Sequence, residues 1–209
     1  MLYALARLMR LSLLPSALAD VAAGLVIGGG GVWPAEPRLL WLFASSVLIY
    51  HGAMVLNDWA DRALDRVSRP ERPLPAGAIH ASTALVLGTS MLLLGACSGY
   101  CVRTEVGWAT TLLAFLAALY DLCGRGPWRG PLLLGACRAL NLGVPLLAAR
   151  LEYESFDSRP LAPLLLPVLY GGYVLSLSTM ARLEDGEGAL GNTRLPRRAD
   201  AEAFSSLAR

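Results

Sequence analysis

The densest run of side chains able to do chemistry is residues 57–79, where Asn57, Asp58, Asp61 and Asp65 alternate with Arg62, Arg66, Arg69 and Arg72. Pro70, Pro73 and Pro75 follow, and Gly77 closes the run. An apolar stretch precedes it, so its first part continues a helix. On that helix Asp58, Asp61 and Asp65 stand at i, i+3 and i+7 and share one face. Three adjacent carboxylates repel one another unless a cation holds them. Such hard oxygen ligands suit Mg²⁺, which takes one or two carboxylates and completes its shell with water and substrate phosphate. The interleaved arginines suit bidentate phosphate recognition. The prolines stop the helix and stiffen the exit. Acid row, basic fringe and rigid turn together describe a site for a metal-bound diphosphate. The competing reading is a helix end whose alternating charges pair in solvent. The position at the mouth of an apolar helix and the Pro-rich turn favour the site.

The elements that must hold this run are membrane helices. Of 209 residues, 55% are hydrophobic and 16% charged, and all 18 basic residues are arginines. Mean hydropathy is +0.50. These values point to the membrane class, and a net charge of +2 argues against a nucleic-acid partner. Apolar runs of about the ~20 residues that a bilayer requires predict an all-α bundle, a single domain over 1–209, with six transmembrane helices at 11–30, 39–65, 81–100, 105–122, 132–149 and 161–180. Residues 182–209 then form a tail. The opening stretch could pass for a signal peptide, but Pro15 breaks its apolar core after Leu14 and the apolar run continues to Ile27. A retained first helix is the expectation. Gly28–Gly31 lacks the preceding strand and following Lys-Ser/Thr of a phosphate loop. The four cysteines show no zinc spacing and are expected to be apolar fillers.

Arginine placement orients the bundle. With the N-terminus inside, thirteen arginines lie on the cytoplasmic side and four (38, 103, 150, 159) on the other. Both termini are then cytoplasmic, in a cytoplasmic membrane, and three polar clusters meet on one face: the aspartate motif in 57–79, the loop 125–129 and the acids of 184–187. Three further ionisable groups lie at membrane depth. Asp20 and Arg138 need a protein or water-filled setting, and pairing between them is expected. Asn141 lies one turn from Arg138 on the same face. His51 shares a face with Asp58, and either orients substrate or is hydrogen-bonded inside the bundle.

The 57–79 run resembles the UbiA superfamily of intramembrane prenyltransferases. That family's first aspartate-rich motif, N-D-x-x-D-x-x-x-D followed by R-P-x-R-P-L-P-x-G, is matched at Asn57, Asp58, Asp61, Asp65, Arg69, Pro70, Arg72, Pro73, Leu74, Pro75 and Gly77. The resemblance extends over roughly residues 5–200. It implies a second acidic motif holding a second Mg²⁺, for which Asp185 and Glu187 stand in place. Ala189 occupies the position of the last acid, with Glu184 as the substitute, and Thr193, Leu195 and Pro196 follow as in the family. Tyr120 is similar to the tyrosine that ends the family's fourth helix. The lysine expected just after it is absent, and Arg125 or Arg129 is the nearest stand-in. The run Gly135–Asn141 and the run Arg182–Glu184 also resemble an EboC-like side branch.

The resemblance implies an Mg²⁺-dependent enzyme that moves an isoprenoid from its diphosphate to an aromatic or other lipophilic acceptor within lipid. Asn57, Asp58, Asp61 and Asp65 would do the chemistry, with Arg62, Arg69, Arg72, Arg125, Tyr120, Arg138 and Asn141 on the diphosphate. Typical members have nine helices. A six-helix chain is expected to be a short branch, a truncated product, or a bundle that a protein partner completes. The alternative is a non-catalytic relative working with partners in lipid or precursor handling or transport.

Overall fold

The computed structural model describes residues 2–124, 128–152 and 161–191, and their side chains except those of Leu2 and 184–191. In chain order the helices are α1 (Leu2–Leu8), α2 (Leu14–Gly28), α3 (Trp41–Ser68), α4 (Ala81–Tyr100), α5 (Thr104–Cys123), α6 (Arg129–Glu152) and α7 (Leu166–Gly191). Short 3-10 turns at Leu11–Leu13, Pro37–Leu40 and Ala162–Leu165 lead into α2, α3 and α7. Among the described residues there is no strand. Among the described residues six helical segments, one built on each of α2 to α7, are long and apolar enough to cross a bilayer.

Local chemistry explains the boundaries. Pro15 sits in the first turn of α2, where its missing N–H has no helical partner to lose. The residue that seemed to interrupt an apolar run therefore starts a helix. Arg69 precedes Pro70 and leaves the helical region at φ −146°, which ends α3. The Pro-rich turn then closes on its own backbone, Ala76 N–H donating to Arg72 O at 2.9 Å and Ala78 N–H to Pro73 O at 3.0 Å. Gly77 takes φ +71° there, a conformation that penalises any residue with a Cβ.

The bundle is organised around α3, which packs on α4, α5, α2 and α1. α2 and α5 both lie on α6, and α7 packs chiefly on α6. Small residues allow the closest crossings, as is common between membrane helices. A Cβ on Gly135 would come 2.6 Å from Gly171 O, so α6 and α7 touch at their backbones. Ile49, Ala53 and Leu56 of α3 form the central apolar cluster with Leu92, Leu113 and Ala117. A second cluster joins Leu8 to Val55, Ile79 and Ala84, and so fixes the end of α1 beside the Pro-rich turn. Only 6% of the most apolar window of α7 is buried, which leaves one long flank of the bundle open.

Three features depart from the sequence expectation. α1 is a separate helix, anchored by fully buried Leu8, ahead of the first helix expected at 11–30. α6 begins at Arg129 and ends at Glu152, nearly a turn longer at each end than the apolar span expected at 132–149. α7 stays helical through 182–191, which was expected to be tail. Gly186 and Gly188 alone do not stop it, and the next proline is Pro196. Of the cysteines, Cys97, Cys101 and Cys123 face outward and Cys137 is half-buried.

Candidate diphosphate site and membrane chamber

The last turns of α3 present Asn57, Asp58, Asp61 and Asp65, with Asp58 and Asp65 almost fully buried. Arg72, returned by the Pro-rich turn, bridges both buried acids: Nη1 donates to Asp65 Oδ2 at 2.6 Å and to Asp58 Oδ1 at 3.4 Å. Arg10 supplies a second cation, Nη2 donating to Asp58 Oδ1 at 2.8 Å. Asp61 is half-buried beside them. Arg62 turns away onto Trp59, 4.3 Å above its ring and donating to its backbone carbonyl at 2.7 Å. Arg66 and Arg69 are exposed.

Arg10 was missed by the sequence reading. It is the one non-glycine residue with positive φ among those described, at φ 51° and ψ 49°. His51, fully buried, holds this bend through Nδ1–H donating to Met9 O at 2.6 Å. His51 thus takes the structural role of the two considered for it. The available clue was Met9-Arg10 itself, a basic residue between two apolar helices.

α5, α6 and α7 contribute the facing wall. Tyr120 is half-buried and receives Arg182 at its hydroxyl. Gly130 lies directly against the Arg182 guanidinium, where a side chain would collide. Arg129 is exposed. Asp121, also passed over in the sequence, is 3% exposed, and neither of its carboxylate oxygens accepts a hydrogen bond. The Asn57 amide approaches it without closing a bond of ordinary geometry, and Asp61, Arg10 and Asp58 are its charged neighbours. Arg125 and the side chains of Glu184, Asp185 and Glu187 lie outside the described residues, as does the Thr193–Pro196 stretch.

From Tyr120 a narrow, open-sided chamber of about 70 Å³ runs into the bundle. Its walls are apolar (Ile49, Ala53, Met54, Leu113, Ala117, Leu134), and Arg138 and Asn141 line its inner end. There the expected pairing is present: Arg138 Nη1 donates to Asp20 Oδ2 at 2.9 Å. Asn141 Nδ2 donates to the same oxygen at 3.0 Å, and Tyr170 OH to Asp20 Oδ1 at 3.1 Å. Arg138 Nη2 also reaches Ser16 Oγ at 3.0 Å, and Ser46 Oγ donates to Asn141 Oδ1 at 2.7 Å. Ser46 stands twelve residues before Asp58 on the same helix, about 18 Å along its axis. Arg138 and Asn141 therefore belong to the far end of the chamber and not to the acid cluster.

The fit of this site to Mg²⁺ rests on the donor chemistry. Among the described residues, no three His, Cys, Asp or Glu side chains stand together as a ready metal cage. Asp58 and Asp65 are engaged by arginine. Asp121, by contrast, is a buried carboxylate with no hydrogen bond, next to a half-buried aspartate. Hard oxygen donors of this kind, few in number, fit a divalent cation that keeps several waters. The residues present fit the ion.

Comparison with known proteins agrees with this fold. The model of the UbiA prenyltransferase family matches residues 17–197. A 4-hydroxybenzoate octaprenyltransferase of Idiomarina loihiensis is 31% identical over 134 residues, covering 63% of this chain and 46% of that protein. A digeranylgeranylglyceryl phosphate synthase of Metallosphaera sedula is 31% identical over 168 residues, covering 77% of this chain and 56% of that protein. The bacteriochlorophyll synthase 33 kDa chain of Cereibacter sphaeroides is 30% identical over 115 residues, 51% of this chain and 38% of that one. The chain thus spans about half the length of the curated relatives it matches. A solved structure of a digeranylgeranylglyceryl phosphate synthase shares the fold at a TM-score of 0.77 and 18% identity, covering 91% of this chain and 66% of that one. With six apolar spans and a family model matched over most of its length, this is an integral membrane protein, and it belongs to the UbiA prenyltransferase family.

Proposed function

We propose that the chain transfers an isoprenoid from its diphosphate to an aromatic or other lipophilic acceptor within the bilayer. The observation that carries this reading is the placement of buried aspartates and arginines at the mouth of an apolar chamber inside a membrane bundle. The allylic C–O bond breaks, its electron pair leaves with the diphosphate, and the carbocation is captured by a nucleophilic atom of the acceptor. Mg²⁺, when bound, supplies neutralisation of the leaving diphosphate. Asp58, Asp61 and Asp65, with Glu184, Asp185 and Glu187 from the second motif, are the residues that would hold it. Arg10, Arg72, Arg182 and Tyr120 surround the same end and supply donors to diphosphate oxygens. The apolar walls keep water from the cation.

Relatives named for octaprenyl transfer to 4-hydroxybenzoate, for bacteriochlorophyll synthesis and for digeranylgeranylglyceryl phosphate synthesis support the reaction class. Their names differ enough that the acceptor is stated only as lipophilic. The arginine distribution supports a cytoplasmic membrane with the diphosphate end and both termini inside. The reading is tested by incubating the protein in vesicles with geranylgeranyl diphosphate and a panel of phenolic and glyceryl phosphate acceptors. Mass spectrometry should find a prenylated product that EDTA abolishes; no product with any acceptor would count against it.

One observation favours a second reading. The outward face of α7 is largely uncovered, with Val168, Leu169, Tyr173 and Met180 all more than half exposed. A partner chain completing the bundle, around a site that binds diphosphate without turnover, would account for it. Co-purification of a second membrane protein together with absent turnover is the result that separates this reading from the first.

A further inference from the structure

We infer that Asp121 is a further metal-holding carboxylate of the diphosphate site, acting across the bundle with Asp61. The inference rests on the Mg²⁺-dependent reading above and adds a residue from α5 to the acids of α3. Asp58 has Arg10 and Arg72 within ion-pair distance, and Asp65 has Arg72. Asp121 is as deeply buried as either; the Asn57 amide is its neighbouring donor, yet neither carboxylate oxygen accepts a hydrogen bond of ordinary geometry and no cation pairs with it among the described residues. A carboxylate in that position is strongly disfavoured unless a cation compensates it. A structural acid would instead be expected to show the donor that satisfies it. Arg10 reaches it electrostatically, yet its guanidinium is already placed on Asp58.

Direction supports the assignment as well. Asp121 lies beside Asn57 and within electrostatic reach of Asp61 and Asp58, and is next in sequence to Tyr120, which lines the chamber. A pair of carboxylates from two helices, with water and diphosphate oxygens filling the other positions, is the ligand number Mg²⁺ prefers. The metal would then tie the end of α5 to the end of α3, which places Tyr120 beside the leaving group.

Mn²⁺ is the probe, titrated into the full chain in detergent and followed by the electron paramagnetic resonance signal of the free ion. Asp121→Asn and Asp61→Asn are each expected to weaken binding by more than about tenfold, the least that loss of even an outer partner of a metal ligand costs. Wild-type affinity in Asp121→Asn overturns the inference. If Asp61→Asn is weakened in that case, the metal-dependent reading of the site survives. Wild-type protein that binds no Mn²⁺ also overturns the inference, leaving the proposed function to stand or fall on turnover. Should Asp121→Asn fail to fold, Asp121→Cys serves instead. A thiolate among the ligands raises the preference for Cd²⁺ over Mn²⁺, and an unchanged preference overturns the inference.

Discussion

Substituting Arg138 by Gln should weaken the fold through one ion pair, by an amount that its contacts and burial bound. Arg138 joins α6 to α2 by bonds to Asp20 at 2.9 Å and to Ser16 at 3.0 Å, with side-chain exposures of 20% for Arg138 and 12% for Asp20. A hydrogen bond to a charged group contributes about 1.5–3 kcal/mol, and an interhelical bond inside a membrane averages about 0.6 kcal/mol. Arg138→Gln should therefore lose about 2–4 kcal/mol. Asp20 would retain only the neutral donors Asn141 and Tyr170. Asp20→Asn removes the charge from the same three contacts and should lose a similar amount. The double variant should not lose the sum, because both single changes abolish the same pair. The expected coupling is about 1.5–3 kcal/mol. Equilibrium unfolding of the four proteins in mixed micelles measures it. A coupling below about 0.5 kcal/mol, the scatter seen for independent sites, would refute the assignment of Asp20 and Arg138 as an energetically joined pair.

Three further changes test other parts of the structure. Gly171→Val puts a Cβ 2.8 Å from Gly135 O and 2.9 Å from Ala139 Cβ, so α7 must move off α6; unfolding should show a loss of about 1–3 kcal/mol. Arg72→Gln leaves buried Asp65 without its cation, and should lower stability by about 3–5 kcal/mol while weakening inorganic diphosphate binding in a filtration assay. Tyr120→Phe keeps the ring and removes the hydroxyl that Arg182 reaches; diphosphate binding should weaken by about tenfold, one hydrogen bond to a charged group, with the melting temperature nearly unchanged.

How much of this was legible in the sequence depends on the kind of signal. The six spans follow from hydropathy, which a bilayer enforces strictly, and 81–100 is recovered to the residue. The first acidic motif is contiguous, so spacing alone places Asp58 and Asp65 together. The Asp20–Arg138 pair was legible because ionisable groups at membrane depth must find each other. Arg10 was not, since its contact with Asp58 spans 48 positions and depends on a left-handed bend held by His51. Asp121 was not singled out either, because a lone acid at a helix end looks solvated until packing buries it. Arg62 was expected on phosphate, but its flexible stem turns to the face of Trp59, a choice periodicity does not encode.

The central claim is that the acid end of α3 ionises a prenyl diphosphate. Its most direct test is the release of inorganic diphosphate from farnesyl or geranylgeranyl diphosphate by the purified protein, with and without Mg²⁺, beside Asp61→Ala. The account predicts Mg²⁺-dependent release by the wild type and none above background by Asp61→Ala. Equal release by the two proteins, or wild-type release indifferent to Mg²⁺, would contradict it.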